Sequence, residues 1–340
     1  MAKINIQKRN HWAPKLVSFL VIMMLFLNVA TAQNEGQFTH FMYNRLSYNP
    51  AYAGSSGGIS GTLLYRNQWM GLKLQAATPG GEAGSTPTDI LFSFDMPVKW
   101  LHGGVGVNFI SEEIGFHKNN SLAIDYAFRI FWGPGNLSAA IEANLYSYQF
   151  ASSNLTGHDP NDPLINAQDE SDFVVDFSTG LYYQVPGLFY VSLSVKNLLA
   201  SRSEAFNMNN VRTFYLMGGY EYTFPYNPSF KIKPSALLKS GDMSIFQLDL
   251  ACLLDYENTF WAGLGYRGLG VSRTESFNFL AGINFLKIMQ FGVAYDLPMS
   301  KLSFGSGRAF GSLEFYVNAN FQIDIPKRPP TVSGNTLYLK

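Results

Sequence analysis

The sequence predicts an all-β fold, a transmembrane β-barrel of the outer membrane with about 14 antiparallel strands and an N-terminal periplasmic or plug segment. Three observations predict it. Segments of about ten residues alternate between large apolar and small or polar residues, which is typical of strands between two different environments. Charged residues make up 14% of the chain and aromatic residues 15%, whereas soluble domains carry about 25% charged residues. The chain also opens with an export signal.

Residues 1–32 have the three parts of a secretory signal peptide. A basic stretch leads into an apolar run, residues 16–29, and then into Ala30-Thr31-Ala32, which offers small residues to a signal peptidase. The run of about 14 residues is shorter than the ~20 that a spanning helix needs, so we expect Sec-type export and cleavage after Ala32. Gln33 follows in place of a cysteine, so a lipid-modified N-terminus is not indicated.

Residues 59–321 are predicted to form the barrel. In residues 121–130, every second residue from Leu122 to Ile130 is large and apolar, and the residues between are small or charged. An even number of such strands closes an up-and-down barrel with both chain ends on the same side, as in bacterial barrels. Fourteen strands are expected, centred near Leu64, Phe92, Val107, Tyr126, Ala143, Thr179, Leu193, Gly218, Ala236, Leu250, Leu264, Leu280, Val293 and Tyr316.

The predicted connections alternate in length, as they do in outer-membrane barrels with short periplasmic turns and long outer loops. Tight turns are expected at 97–99, 133–135, 185–187, 225–228, 256–257 and around Leu286, and the first four contain Gly or Pro, which supply the backbone angles of such turns. Longer polar loops are expected at 71–85, 112–118, 151–171, 197–209, 268–275 and 298–308, with a brief exception at 240–242.

A soluble β-sandwich would also show alternation, but its outward face would be the polar one. Here the polar face carries small residues and charges, which suits a barrel lumen. After residue 32, no uninterrupted apolar stretch reaches 18 residues, so no transmembrane helix is predicted.

Charges within the predicted strands fall on the small-residue face. A charge facing lipid costs roughly 2–4 kcal/mol at the bilayer midplane, so these side chains are expected to point into the lumen. The basic and acidic groups nearly balance, which favours internal pairing over a wide porin lined by one sign of charge. The expected lumen charges are Arg66, Arg129, Lys196, Lys231, Lys233, Lys239 and Arg267, with Asp125, Glu142, Glu221, Asp249, Asp296 and Glu314.

The segment before the first strand, residues 33–58, is a candidate filler for the lumen, which must be occupied by side chains, loops or an inserted segment at this barrel size. It is aromatic, lacks strand alternation and ends in turn-forming residues. A simple periplasmic arm is the alternative. The residues expected to act as plug or hatch are Phe38, Phe41, Tyr43, Asn49 and Pro50.

The C-terminal tail, residues 322–340, is expected in the periplasm. Its prolines cannot donate ladder hydrogen bonds, so the barrel must stop before them. Extended proline-containing segments suit recognition by another protein, although a loose tail with no binding role is the alternative. The residues expected to bind a partner are Pro326, Lys327, Arg328, Tyr338 and Leu339.

The sequence offers no catalytic constellation, and we expect neither an enzyme nor a cofactor. The five histidines are scattered, without metalloprotease spacing. A formal net charge of zero gives no footprint for nucleic acid, and the single Cys252 excludes an intrachain disulfide. The acidic loop at 159–172 could hold Ca²⁺, but it lacks the regular ligand spacing, so a solvated outer loop is favoured.

Several motifs resemble the PorP/SprF family of Bacteroidota outer-membrane proteins. The opening resembles that of the family, with QFTHFMYN at 37–44, YNPAYAG at 48–54 and LYRNQW at 64–69. The first of these motifs usually reads Q-F-x-x-Y-M-x-N in the family, and here Phe41 stands in place of the tyrosine. Three strands resemble those of the family as well: KIKPSALLK at 231–239, FWAGLGYR at 260–267 and GVAYD at 292–296. The likeness is collinear over nearly the whole mature chain.

The resemblance implies a cofactor-free barrel of the type IX secretion and gliding machinery. Its expected partners are other secretion-system proteins, the lipid bilayer and a secreted surface adhesin. An enlarged first outer loop at 78–87 and the extended C-terminal tail depart from the family pattern and leave the exact partner open.

Two other functions remain as alternatives. The chain could be an outer-membrane transporter for a hydrophobic small molecule, because fourteen-strand fatty-acid channels also begin with an Asn/Asp-Pro-Ala hatch. The charges expected to point into the lumen argue against the apolar binding pocket that such a transporter needs. An outer-membrane enzyme is the third possibility, and the sequence lacks residues to perform catalysis.

Overall fold

The structure, a computed structural model, describes residues 36–72, 85–151, 169–206, 208–243, 245–270, 276–286, 288–299 and 309–322. These residues form a closed barrel of 14 antiparallel strands. The strands of the first half are β1 (Gly58–Met70), β2 (Ser85–Val98), β3 (Gly103–Gly115), β4 (His117–Trp132), β5 (Gly135–Phe150), β6 (Glu170–Val185) and β7 (Phe189–Lys196). Those of the second half are β10 (Thr213–Tyr220) with β11 (Tyr222–Thr223), β12 (Phe230–Gly241), β13 (Ile245–Tyr256), β14 (Phe260–Gly270), β15 (Ser276–Phe285), β16 (Met289–Pro298) and β17 (Gly311–Gln322).

Each neighbouring pair in the barrel is antiparallel, and the wall closes where β1 pairs with β17 from Gly58 opposite Gln322 onward. The short strands β10 and β11 form one barrel strand interrupted at Glu221, and both pair with β12. Two further short strands, β8 (Arg202–Ser203) and β9 (Met208–Asn209), pair only with each other in the connection between β7 and β10. All fourteen predicted strand centres fall within barrel strands, so the predicted order and count are confirmed.

Side chains alternate between a lipid-facing exterior and a closed interior. In β4, Leu122 and Ile124 are exposed, whereas Ala123 and Asp125 are buried. The single cysteine, Cys252, also lies on the exterior. Exposed aromatic residues gather where strands meet the tight turns, as in the aromatic girdle of outer-membrane barrels; they include Phe131, Trp132, Tyr220, Tyr222, Phe224, Tyr226, Tyr256, Phe260 and Phe285.

The prediction of a longer polar loop at 112–118 is wrong. Strand β3 continues to Gly115 and β4 begins at His117, so the connection is a tight turn with Glu113 opposite Lys118. The ladder continues through polar residues because pairing satisfies backbone N–H and C=O groups whatever the side chain is. Gly115 adopts a left-handed φ of 63°, which glycine does without steric cost.

The segment before β1 lies inside the barrel. It contains a one-turn helix, α1 (Arg45–Tyr48), and a 3₁₀ turn, Pro50–Tyr52. Apolar residues of the segment, among them Phe41 and Leu46, form one buried cluster with inward side chains of strands on both sides of the barrel. This segment, residues 36–57, is called the lumen segment below. In the described part of the chain, none of the helices has the length and apolar character required to cross a membrane.

Candidate functional site: the lumen segment and its contacts

The residues predicted to form a plug occupy the lumen segment. Phe38, Phe41, Asn49 and Pro50 are buried, and Tyr43 is half-buried. The Tyr43 ring lies 5.1 Å from Trp261 of β14 and 5.2 Å from Tyr316 of β17, between ring centroids. Asn49 is a polar anchor that the sequence singled out, whereas Thr39 and His40, which anchor the other half of the segment, were not among the predicted residues.

Thr39 is the centre of a buried charged network. Its hydroxyl accepts hydrogen bonds from Arg66 Nη1 at 2.8 Å and from Arg267 Nη2 at 2.7 Å. It donates to the carboxylate of Asp296, at 2.8 Å from the nearer oxygen. A hydroxyl offers one donor and two acceptor lone pairs, so the hydrogen-bonding capacity of Thr39 is filled by three residues of three different strands.

Glu314 of β17 completes this network. Its two carboxylate oxygens accept the backbone N–H of Thr39 at 2.7 Å and of His40 at 2.8 Å. Arg66 Nη1 is 2.9 Å from Glu314 Oε2, and Arg66 Nη2 is 2.7 Å from Asp296 Oδ2. His40 Nδ1 lies 2.7 Å from Glu314 Oε1 and is the donor, because a carboxylate only accepts. Two arginines thus face two carboxylates in a sealed and neutralised site.

Asn49 anchors the other half of the lumen segment. Its side-chain amide donates to Leu181 O at 2.8 Å and to Ser192 Oγ at 2.7 Å, while its Oδ1 accepts from Ala51 N at 2.8 Å. The amide group of Asn49 lies directly against Gly180 of β6, where a Cβ would come within 2.0 Å of Asn49 Oδ1. Asn49 therefore ties the 3₁₀ turn to β6 and β7 at once.

Cationic side chains of the wall satisfy the carbonyl groups of the lumen segment. Arg129 donates to Ala53 O at 2.7 Å and to Gly54 O at 2.8 Å, and Lys196 Nζ donates to Ser47 O at 2.8 Å. An irregular buried segment leaves backbone groups without a regular partner, and each costs free energy if it stays unpaired. Several of the predicted lumen charges are therefore ligands of the segment rather than the lining of a pore.

Glycines of the wall make room for the lumen segment. A Cβ at Gly104 of β3 would lie 2.3 Å from Ala53 O, and one at Gly106 would lie 3.1 Å from the Leu46 methyl groups. Gly104 is part of the glycine-rich stretch at 103–106, where the absence of side chains lets the backbone of the segment approach the strand closely. The wall and the segment are thus shaped to each other.

The remaining predicted lumen charges are buried or half-buried. Three of the basic residues have an acidic partner on a neighbouring strand: Lys239 with Asp249 at 3.3 Å, Lys231 with Glu221 at 2.7 Å and Lys233 with Asp255 at 2.9 Å. Lys196 of β7 lies 3.6 Å from Glu142 of β5, across β6, and Asp125 accepts a hydrogen bond from the side-chain amide of Asn108 at 2.9 Å. Asp255 is an additional acidic partner that the sequence did not indicate. For most of these residues, the charge balance noted in the sequence thus corresponds to ion pairs within the barrel.

The predicted partner-binding residues Pro326, Lys327, Arg328, Tyr338 and Leu339 lie outside the described residues, as does the signal peptide. Most of the acidic loop at 159–172 is outside them as well. Asp172, which is described, is engaged with the β8–β9 hairpin, because its carboxylate accepts from Ser203 Oγ at 2.6 Å. Among the described residues, no group of three His, Cys, Asp or Glu side chains is arranged to hold a metal ion.

Comparison with protein families is decisive for the identity. Residues 30–317 match the family described as "Type IX secretion system membrane protein PorP/SprF". The chain belongs to the PorP/SprF family. A closed barrel with an apolar exterior in this membrane-protein family is located in the outer membrane. The family is one of secretion-system membrane proteins and not an enzyme family, and membership implies interaction with other secretion components.

No curated protein matches the chain. Among solved structures, the chain is similar to the Acinetobacter baumannii outer membrane protein Omp33, with 5% identity, a TM-score of 0.45, and coverage of 78% of this chain and 100% of that one. It is also similar to the CymD monoaromatic hydrocarbon channel, with 10% identity, a TM-score of 0.45, and coverage of 87% and 95%. The KdgM porin matches with 10% identity, a TM-score of 0.36, and coverage of 77% and 99%.

The motifs that carry the PorP/SprF resemblance meet in the lumen. Arg66 from the motif at 64–69, Arg267 from the motif at 260–267 and Asp296 from the motif at 292–296 converge on Thr39, which lies in the motif at 37–44. Thr39 and His40 are not among the residues on which the resemblance of that motif depends, so no sequence signal distinguished them. Most of their hydrogen-bond partners are more than 200 positions away in the sequence, for example Glu314, which is 275 positions from Thr39.

Proposed function

We propose that this PorP/SprF protein acts in type IX protein secretion and gliding as a non-enzymatic component that works through protein–protein contacts. It would assist the export of particular secreted proteins, such as adhesins, or their retention at the cell surface. It needs no cofactor for this role. Its partners would be periplasmic or outer-membrane secretion proteins and a secreted adhesin.

The observation that carries this proposal is the occupied lumen. A conduit for a protein or solute needs a continuous open path, whereas residues 38–54 fill the lumen with buried side chains held by hydrogen bonds to β1, β6, β7, β14, β16 and β17. The chemistry available to partners therefore lies at the two ends of the barrel, in its loops, turns and tail. This favours a docking role over a transport role.

The transporter alternative requires an apolar route through the lumen. The Asn-Pro-Ala stretch that suggested a hatch is present at 49–51, but Asn49 is fixed by hydrogen bonds to Leu181 O and Ser192 Oγ. The route on the other side is closed by the network of Arg66, Arg267 and Asp296. An apolar solute would have to displace paired charges from a buried site, which is unfavourable.

The C-terminal tail is proposed as one docking element. Pro326, Pro329 and Pro330 keep the chain out of the ladder, and an extended segment loses little entropy when it binds. Lys327 and Arg328 would contact an acidic surface, and Tyr338 with Leu339 would supply an apolar anchor. Gln322, the last residue of β17, lies beside the start of β1 at the end of the barrel that carries the tight turns, which supports a periplasmic position for the proposed docking element.

The test is affinity purification of the tagged protein from native outer membranes, followed by mass spectrometry. The full chain should co-purify secretion-system proteins, and truncation after Asp324 should reduce their recovery while the barrel still shifts on unheated gels. Recovery of every partner at the full-chain level would exclude the tail as the docking element. Failure of the full chain to recover any secretion component would contradict the proposed role itself.

A further inference from the structure

The two ends of the lumen segment lie at opposite ends of the barrel. At its C-terminal end, Gly54 packs against Pro97 and Gly104, which flank the tight turn between β2 and β3. Gly54 N donates to Asp95 at 2.8 Å, and the chain then enters β1 at Gly58. The C-terminal end of the segment is therefore at the end of the barrel where every connection between strands is short, here called the turn end.

The N-terminal end of the segment is at the other end of the barrel. Gln37 accepts a hydrogen bond from Gln247, which lies two residues into β13, just after the connection from β12. Gly36 is beside Glu112, three residues before β3 ends at Gly115. Strands β12 and β3 both run from the turn end to the opposite end, so Gly36 and Gln37 lie at that opposite end, here called the loop end.

The contacts between these two points follow the same direction. Thr39 meets Arg267, near the loop end of β14, and Asp296, near the loop end of β16. Arg45 then stacks on Tyr190, the second residue of β7, at 3.9 Å from the ring centroid, near the turn end. The segment thus descends through the barrel before it reaches β1.

We propose that the processed chain is threaded through its own barrel, so that its N-terminus emerges at the loop end, on the cell-surface side of the outer membrane. The strands begin and end at the turn end, which faces the periplasm in barrels with short turns and long outer loops. The sequence expectation that both chain ends lie on the same side therefore applies to the start of β1 and the end of β17, but not to the N-terminus. Residues Gln33, Asn34 and Glu35 are polar, as an end in water requires.

This arrangement makes the N-terminus an accessible surface element beside the outer loops. A segment displayed there is available to a protein outside the cell and out of reach of a periplasmic one. It also means that a periplasmic partner cannot withdraw the lumen segment by its free end, because that end points away from the periplasm.

The test compares single cysteines in a Cys252→Ala background, since Cys252 lies on the lipid-facing exterior. Asn34→Cys reports the N-terminus, Glu204→Cys reports the exposed β8–β9 connection at the loop end, and Asn227→Cys reports an exposed tight turn at the turn end. A membrane-impermeant maleimide is applied to intact and to permeabilised cells. Asn34→Cys should label in intact cells to the same fraction as Glu204→Cys, whereas Asn227→Cys should label only after permeabilisation.

Labelling of Asn34→Cys only after permeabilisation, together with Asn227→Cys, would overturn the threaded arrangement. Each variant is first shown to shift on unheated gels, so that only folded barrels are compared. A second measurement places a short protease-cleavable epitope directly after Ala32. Its removal by protease from intact cells supports the proposal, and its protection until permeabilisation contradicts it.

Discussion

At the scale of single residues, the barrel interior is organised around a few polar side chains that serve more than one strand. Thr39 joins β1, β14 and β16 through one hydroxyl, and Asn49 joins β6 and β7 through one amide. A buried polar group is costly when its partner is lost, because the partner's desolvation is no longer offset. Substitutions that remove the polar groups of Thr39 and Asn49 should therefore lower stability, although both side chains are smaller than the aromatic side chains around them.

Replacing Thr39 by valine removes the hydroxyl while preserving the side-chain shape. The Thr39→Val variant leaves donors of Arg66 and Arg267 without an acceptor, at an expected cost of about 1–3 kcal/mol. The apparent unfolding temperature in detergent, measured at a fixed heating rate, should fall. Thr39→Ser, which retains the hydroxyl, is the matched control and should stay close to the native value. Equal unfolding temperatures for the valine and serine variants would contradict this role of the hydroxyl.

Gly180 is expected to be intolerant of even a methyl group. A Cβ there would lie 2.0 Å from Asn49 Oδ1, and Asn49 is held by acceptors on two strands. We expect Gly180→Ala to cost about 1–3 kcal/mol through overpacking. Gly61→Ala is the matched control, since a Cβ at Gly61 meets nothing within 4 Å, and its effect should stay within about 0.5 kcal/mol. Comparable losses in both variants would argue against close contact between wall and segment.

At the scale of elements, the strands and the lumen segment differ in how far the sequence predicts them. Each strand carries a two-residue period, so residues such as Asp125 and Glu314 could be assigned to the inner face and all fourteen strand centres could be predicted. The lumen segment has no period, and its contacts join residues up to 275 positions apart, so its path could not be read from the chain. The 112–118 loop was mispredicted because polar composition does not show where a backbone ladder ends.

The lumen segment should keep the barrel closed to ions. In planar bilayers the purified full chain should show no large stable conductance, and deletion of residues 37–48 should create one, because this part of the segment occupies the lumen beside β14, β16 and β17. Truncation after Asp324 is the control, since it leaves the fourteen strands and the lumen segment intact. A silent deletion variant that still shifts on unheated gels would show that other groups close the lumen.

At the scale of the whole molecule, export, membrane insertion and lumen filling depend on one another. A signal peptide retained at the N-terminus would tether the chain to the inner membrane, whereas Gly36 lies at the loop end of the barrel. With the loop end outside the cell, as proposed above, we expect the chain to be cut before residue 36. The identity of the family could be inferred from collinear motifs, but the meeting of three of those motifs at Thr39 required the fold.

Processing should leave Gln33 as the first residue. Ala30-Thr31-Ala32 presents small residues at the positions that a signal peptidase reads. Intact mass measurement and N-terminal sequencing of membrane-extracted protein should both give this start. Replacing Ala30 and Ala32 by bulky residues should block cleavage and prevent accumulation of the heat-modifiable barrel. Native protein that retains Met1 would refute the assignment.

The position of the lumen segment also imposes an order on folding. A finished ring of fourteen strands with a filled interior offers no route by which residues 36–54, with the rings of Phe41, Tyr43 and Tyr48, could be inserted afterwards. The segment must already be in place when the sheet is still open and curling around it. Since β1 and β17 are the first and last strands of the chain, we expect them to pair last. The lumen segment would then be the template around which the barrel wall assembles.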